Sequence, residues 1–408
     1  VKAHGRFVPW HQAWQTALYG PAGFYRKPEG PAGHFRTACH AGADVVAGAL
    51  ARLATEAGCT TIVDVGAGRG ELLTALARLD PASRPGPERS VGAAADVVVP
   101  PGQDLGRGCG PGPGTDKNTG RNPRRSQGPS PASGGGAGQG RPRLHGVDVV
   151  GRPATLPTAV GWSGGLNELP DDVLDGALVV AWELLDVVPI PIAEVRADGI
   201  ARIVLVDPAT GEERLGPPLT AAETAWCAQW WPLVNTRPGA RAEIGIPRDT
   251  LWAGLVERVA RTRRGGLLLA VDYGHDAHGR PPEGSLSAFH GGRAVPPVPD
   301  GSCDLTTDVA VDAVAAAGER AGATSSLLLP QRTALRALGV VITPGHLADA
   351  GSAGTAALLA QLELRSRLSE LLDASGLGSF TWLLQGVRRP VPATLAHAAA
   401  QDLGVSTR

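Results

Sequence analysis

Short apolar runs closed by glycine or by an acid recur along the chain, with stretches of helical period between them. The run Thr61-Ile62-Val63-Asp64-Val65 is β-branched and reads as a strand. It leads into the glycine-rich turn Gly66-Ala67-Gly68-Arg69-Gly70. Leu72, Leu73, Leu76 and Leu79 then follow at helical spacing, which predicts a helix over 71–79. A helix over 41–57, rich in Ala and Leu, precedes the strand. Residues 144–150 form a short strand ending near Asp148. The continuous apolar runs 176–182 and 265–274 read as buried parallel strands. Residues 192–217 alternate around Ala197-Asp198-Gly199, the pattern of a hairpin added to the core. Helices are expected over 249–261 and around 355–372, and short strands over 325–329 and 380–384. The aromatic- and glycine-rich stretches 14–25 and 30–38 show neither period and read as an ordered loop over something apolar. Trp226, Trp230, Trp231 and Trp252 fall on expected helices of an inserted subdomain, as packing residues or as a substrate-binding wall.

Strands alternating with helices predict an α/β doubly wound, Rossmann-like sheet. From about 82 to 143, Gly and Pro dominate and apolar period is lost; this reads as a disordered insertion, with a basic docking tail as the alternative. The expected organisation is an N-terminal loop or lid (1–40), a core whose first part is 41–81 and 144–191, and the insertion 82–143. An α+β substrate subdomain (192–247), the second part of the core with C-terminal helices (248–390) and a tail (391–408) complete it.

Composition adds mainly exclusions. The 408 residues hold 39 acids and 38 bases, so charge gives no argument for nucleic acid or a membrane surface as partner. No run approaches a membrane span, and residues 1–10 lack the apolar core of a signal peptide. The five cysteines are scattered without a C-x-x-C pair, which points to a reduced, cytoplasmic protein with no metal site.

The candidate chemistry starts at the glycine turn. A dinucleotide fingerprint would place its third glycine where this chain has Glu71, and that carboxylate would repel phosphates. A ligand with a positive sulfonium, S-adenosyl-L-methionine (SAM), suits such a turn better; an ordinary βα loop of another α/β protein stays open. Asp64, Gly66, Gly68 and Gly70 are the candidate cofactor residues. Asp148 closes the second strand, where the acid that binds ribose hydroxyls belongs, and its spacing becomes normal once the insertion is removed. Glu183 and Asp186 follow the buried run 176–182, and Asp272 ends the neighbouring one, at the carboxyl ends of strands, where open α/β folds place their chemistry. Asp186 could instead cap a turn, and Asp272 could instead bond loop backbone. Of the histidines, His275 and His290 are the candidate bases.

Taken in order, several stretches resemble the MidA-type SAM-dependent methyltransferases, the family of the mitochondrial complex I assembly factor that methylates a protein arginine. They are Leu18-Tyr19 with Gly23-Phe24-Tyr25, Gly33 to Ala38, the turn 64–70, Glu183-Leu184-Leu185-Asp186 with Pro189, Asp272-Tyr273-Gly274, Ser285-Leu286 and Asp304-Leu305-Thr306. The resemblance implies a class I methyltransferase core, SAM as cofactor, and a protein substrate, with arginine favoured and a respiratory-complex or other assembly subunit as partner. If the acceptor is an arginine guanidinium, a pair of carboxylates could pin it, and Glu183 and Asp186 are the candidates, with Asp272 able to face the substrate. The resemblance also implies a lid over SAM carrying Gly33, Phe35 and Thr37. His34 replaces the family's acid and Trp182 its Asn. Those departures keep two alternatives open: a SAM-binding assembly factor without catalysis, and a small-molecule methyltransferase.

Overall fold

The computed structural model describes residues 7–27, 38–79, 141–342, 355–402 and 404. The 82–143 reading lies almost wholly outside them, as do Gly33, Phe35 and Thr37; the chain is described again from Arg141.

A seven-stranded sheet carries the core. Its strands are β2 (Thr61–Val65), β3 (Arg143–Val147), β4 (Gly161–Ser163), β5 (Ala177–Trp182), β10 (Gly266–Asp272), β16 (Ser325–Pro330) and β17 (Thr381–Val387). Their spatial order is β16-β17-β10-β5-β2-β3-β4. The five strands from β10 to β4 pair in parallel, and β17 runs antiparallel between β10 and β16. Strand order reverses between β2 and β5, so a crevice opens at their carboxyl ends. β2, β5 and β10 are buried at every position because helices cover both faces. On one face lie α2 (Ala38–Glu56), α3 (Glu71–Arg78), α8 (Gln331–Ala337), α9 (Thr355–Leu372) and α10 (Ala393–Asp402). On the other lie α4 (Asp171–Leu174), α6 (Ile246–Arg261) and α7 (Val311–Arg320). Each large side chain buried here contributes roughly 1.5–3 kcal/mol.

Outside the core, β1 (Val8–Pro9), β6 (Ile192–Val195), β7 (Ala201–Val206), β8 (Glu213–Pro218) and β9 (Arg241–Glu243) form an antiparallel sheet, with α5 (Ala221–Trp230) against it. The expected hairpin is the β6–β7 pair, extended by β8. A smaller sheet joins β12 (Ser287–His290), β13 (Arg293–Val295) and β14 (Asp304–Thr306). The two-residue strands β11 (Gly274–His275) and β15 (Val309–Ala310) pair beside it.

Three expectations need correction. The stretch from residue 14 is no loop: Trp10–Tyr19 is a helix, α1. Trp10, Ala13, Trp14, Ala17 and Leu18 form one buried stripe at helical spacing, packed on Ile192, Val204 and Leu305. Trp252 belongs to the core, fully buried under the main sheet with its indole N–H donated to Gln385 Oε1 at 2.7 Å. Residues 393–402, within the expected tail, form α10, seated through buried Leu395 and Ala399.

At the amino ends of β2 and β3, away from the crevice, α3 ends near Leu79, and the guanidinium of Arg141 donates to the Leu79 carbonyl. β3 begins two residues later.

Among the described residues no helix is long and apolar enough to cross a membrane. Nor does any cluster of three or more His, Cys, Asp or Glu suit a metal.

Candidate functional site

The crevice opens into a cavity of about 720 Å³. Its floor is the turn after β2. Gly66, Gly68 and Gly70 all have positive φ, at 80°, 54° and 74°, which side chains other than glycine rarely adopt. A Cβ on Gly66 would stand 2.8 Å from Leu184, so the turns after β2 and β5 pack into each other. Asp148 bridges to this floor from the next strand. One of its oxygens accepts the Gly68 N–H at 2.7 Å and the other the Val150 N–H at 2.9 Å. The two residues bonded are 80 apart in sequence. Both carboxylate oxygens keep capacity for a further donor. Asp64, 4 % exposed, also lines the cavity, and burial together with Asp148 and Glu71 raises its pKa to about 7. Three acids therefore crowd the turn, and such an arrangement favours a cation over a phosphate.

The acceptor end is built from the turn after β5. Glu183 lines the cavity with φ of +51°, strained for a residue with a side chain, while its N–H bonds the Val271 carbonyl at 2.8 Å. Asp272 explains how that strain is held. Its Oδ2 accepts the N–H groups of Leu185 and Asp186 at 2.9 and 3.2 Å, drawing the turn back onto the end of β10. Asp272 thus bonds loop backbone, the second of the two roles the sequence left open, and it is absent from the cavity wall. Asp186 does line the wall. Its Oδ2 accepts from Tyr273 Oη at 2.6 Å and Thr306 Oγ1 at 2.8 Å, whereas its buried Oδ1 has no partner among the described residues. Burial raises the Asp186 pKa, against the pull of those two hydroxyls and of Arg248.

Residues to which the sequence reading gave no role at the site also build it. Arg248, 2 % exposed on α6, gives its Nη atoms to the carbonyls of Asp186, Thr307 and Asp308 and to the Thr307 hydroxyl, tying the β5 turn to the segment after β14. Tyr19, from the end of α1, donates to the Val187 carbonyl at 3.1 Å, and Tyr25 donates to Asp304 Oδ1 at 2.8 Å. Their rings lie 5.5 Å apart and cover the cavity from the N-terminal side. The described cover is therefore at Tyr19 and Tyr25, while the Gly33, Phe35 and Thr37 reading lies outside the described residues. Trp182 forms part of the wall, edge-on to Trp382 at 5.5 Å.

The two histidines do not join the site. His275 packs edge-on against Trp231 and bonds Arg280; burial, then the Arg280 charge, lowers its pKa to about 4. His290 is exposed and bonds the Ser302 carbonyl.

With that geometry in place, relatives can be compared. Residues 139–328 match the model of a family described as "Putative S-adenosyl-L-methionine-dependent methyltransferase". No curated protein matches the chain. A solved structure from Burkholderia thailandensis, described as a "likely methyl transferase" bound to S-adenosyl-homocysteine, is similar at 20% identity. The match covers 94% of this chain and 88% of that one, with a TM-score of 0.61. A second, an uncharacterized protein of the same superfamily and organism, is similar at 22% identity, covering 96% and 90%, with a TM-score of 0.62. The fold is the Rossmann-like one of SAM methyltransferases. The family match over 139–328 takes in Asp148, Glu183, Asp186, Asp272 and β14, but starts after the glycine turn.

Proposed function

We propose that this chain is a SAM-dependent methyltransferase of the MidA type acting on a protein side-chain nitrogen, with the arginine guanidinium as the favoured acceptor. The observation that carries the reading is the left-handed glycine turn, bonded by Asp148, on the floor of an acid-lined cavity at the sheet's crossover. The structural relative bound to S-adenosyl-homocysteine supports it.

The residues fit the cofactor. Gly68 leaves backbone open to the ligand, Asp148 can accept ribose hydroxyls, and Asp64 and Glu71 offset positive charge. When bound, SAM supplies an electrophilic methyl group, and transfer is an in-line displacement at carbon. The chain's own part is to align the acceptor and keep water out. Tyr19 and Tyr25 cover the reacting space. Glu183 and Asp186 accept the N–H donors of a guanidinium, a poor nucleophile until its lone pair is localised. Asp272 holds both of them through the turn.

The decisive experiment measures S-adenosyl-homocysteine binding and transfer of labelled methyl into lysate proteins, with Glu183→Gln as control. The variant should bind within a few-fold of the parent and transfer about 100-fold more slowly. Lost binding with unchanged transfer per bound cofactor would assign Glu183 to the cofactor instead. Label that passes a size filter would identify a small-molecule acceptor.

Asp64 gives a pH prediction. Its pKa is raised to about 7, and a cationic ligand favours the carboxylate, so binding takes off a proton below that pH. SAM affinity should therefore rise as pH goes from 6 to 8, by up to about tenfold per unit on the acid side. Asp64→Asn should flatten the profile. A flat profile in the parent protein, followed by calorimetry, would remove Asp64 from the cofactor site.

A further inference from the structure

The acceptor end holds a second buried carboxylate that the reading above does not use. β14 presents Asp304 and Thr306 two residues apart, and both lie on one face of the strand. Thr306 bonds Asp186 Oδ2, so that face is turned toward Asp186. Asp304, 3 % exposed, lines the same cavity, and the hydroxyl of Tyr25 fixes its Oδ1. Asp186 Oδ1 lies buried with no partner among the described residues. Arg248 offsets part of the Asp186 charge but hydrogen-bonds neither carboxylate, because its Nη atoms go to carbonyls and the Thr307 hydroxyl. An asparagine at 304 would serve the Tyr25 hydroxyl equally well. Two acids buried together with no cation hydrogen-bonded to either are costly, and a cationic ligand that bonds both lowers that cost.

We infer that Asp304, steered by Tyr25, is the second carboxylate that grips the methyl acceptor opposite Asp186, and that it takes the proton the acceptor nitrogen gives up. This rests on the methyltransferase reading. The nitrogen lone pair forms the new N–C bond while the C–S bond breaks and leaves its electron pair on sulfur. The displaced N–H proton passes to the Asp304 carboxylate and then to solvent. Before an acceptor arrives, burial, with Asp186 adding to it, raises the Asp304 pKa to about 8, so acceptor binding near pH 7 should release a proton.

The test titrates the S-adenosyl-homocysteine complex with methylguanidinium by calorimetry, in buffers of different ionisation enthalpy so that protons are counted. The parent protein should bind it with proton release at pH 7. Asp304→Asn should bind about tenfold or more weakly, without proton release, while keeping parental affinity for S-adenosyl-homocysteine. Tyr25→Phe should still bind, with the midpoint of proton release moved to higher pH, because a hydroxyl that stabilises the carboxylate is gone. Parental binding and proton release in Asp304→Asn would overturn the assignment, as would a parent complex that ignores methylguanidinium. Failure of the parent to bind S-adenosyl-homocysteine would instead overturn the reading beneath it.

Discussion

Replacing Gly68 with valine is expected to abolish cofactor binding and leave the protein folded. Gly68 sits at φ of +54°, and a β-branched residue there carries strain of about 1–3 kcal/mol. An added Cβ would meet only Glu71 Oε2, at 3.8 Å, so the turn has room for the side chain without disturbing the sheet. The new branches would instead occupy the cavity floor, and the Gly68 N–H would be drawn off Asp148. Together these should weaken S-adenosyl-homocysteine binding by about 100-fold or more, equivalent to about 2.8 kcal/mol. The melting temperature should fall by only a few degrees. Calorimetry and thermal unfolding check the two halves separately. Unchanged affinity would move the cofactor elsewhere.

Arg248→Met should have the largest effect on stability. The arginine is buried, and its four hydrogen bonds end on three carbonyls and the Thr307 hydroxyl. Its charge also faces Glu243, Asp186 and Asp272. Removing one member of such a set strands the others and costs about 3–5 kcal/mol, although replacing the whole set by apolar residues could be neutral. Differential scanning calorimetry should show a drop of roughly 4–7 °C. Arg248→Lys, which keeps the charge and loses the fork, should fall between. A melting temperature within a degree of the parent would mean that the β5 turn is held without Arg248.

The main sheet was legible because its strands are buried on both faces and read as unbroken apolar runs: Ala177–Trp182 and Gly266–Asp272 stand out from any helical period. Asp148 could be paired with the glycine turn once the intervening segment was set aside, and the Gly68–Asp148 bond joins the same two places. α1 was not legible as a helix because its stripe starts at Trp10, ahead of the Gly- and Pro-punctuated stretch that dominated the reading; a window opened at Trp10 would have found it. Arg248 carried no signal, since a lone base near a helix start looks like a solvated one and only burial distinguishes it. Tyr25 and Asp304 meet across 279 residues, and no local pattern marks such a pair. Asp272 looked like a catalytic acid because strand ends attract them; what the sequence could not say was that two N–H groups of the neighbouring turn would claim it.

The contact between Arg141 and Leu79 means that the chain leaves α3 and returns to β3 at nearly one place, on the side of the sheet away from the cavity. Between ends held within one side chain's reach, each doubling of a connection's length costs only about 0.6 kcal/mol of closure entropy. Inheritance can therefore lengthen, shorten or rewrite the residues between these two anchors without disturbing the register of β2 against β3. Drift in that stretch and selection on the chemistry can proceed independently within one gene.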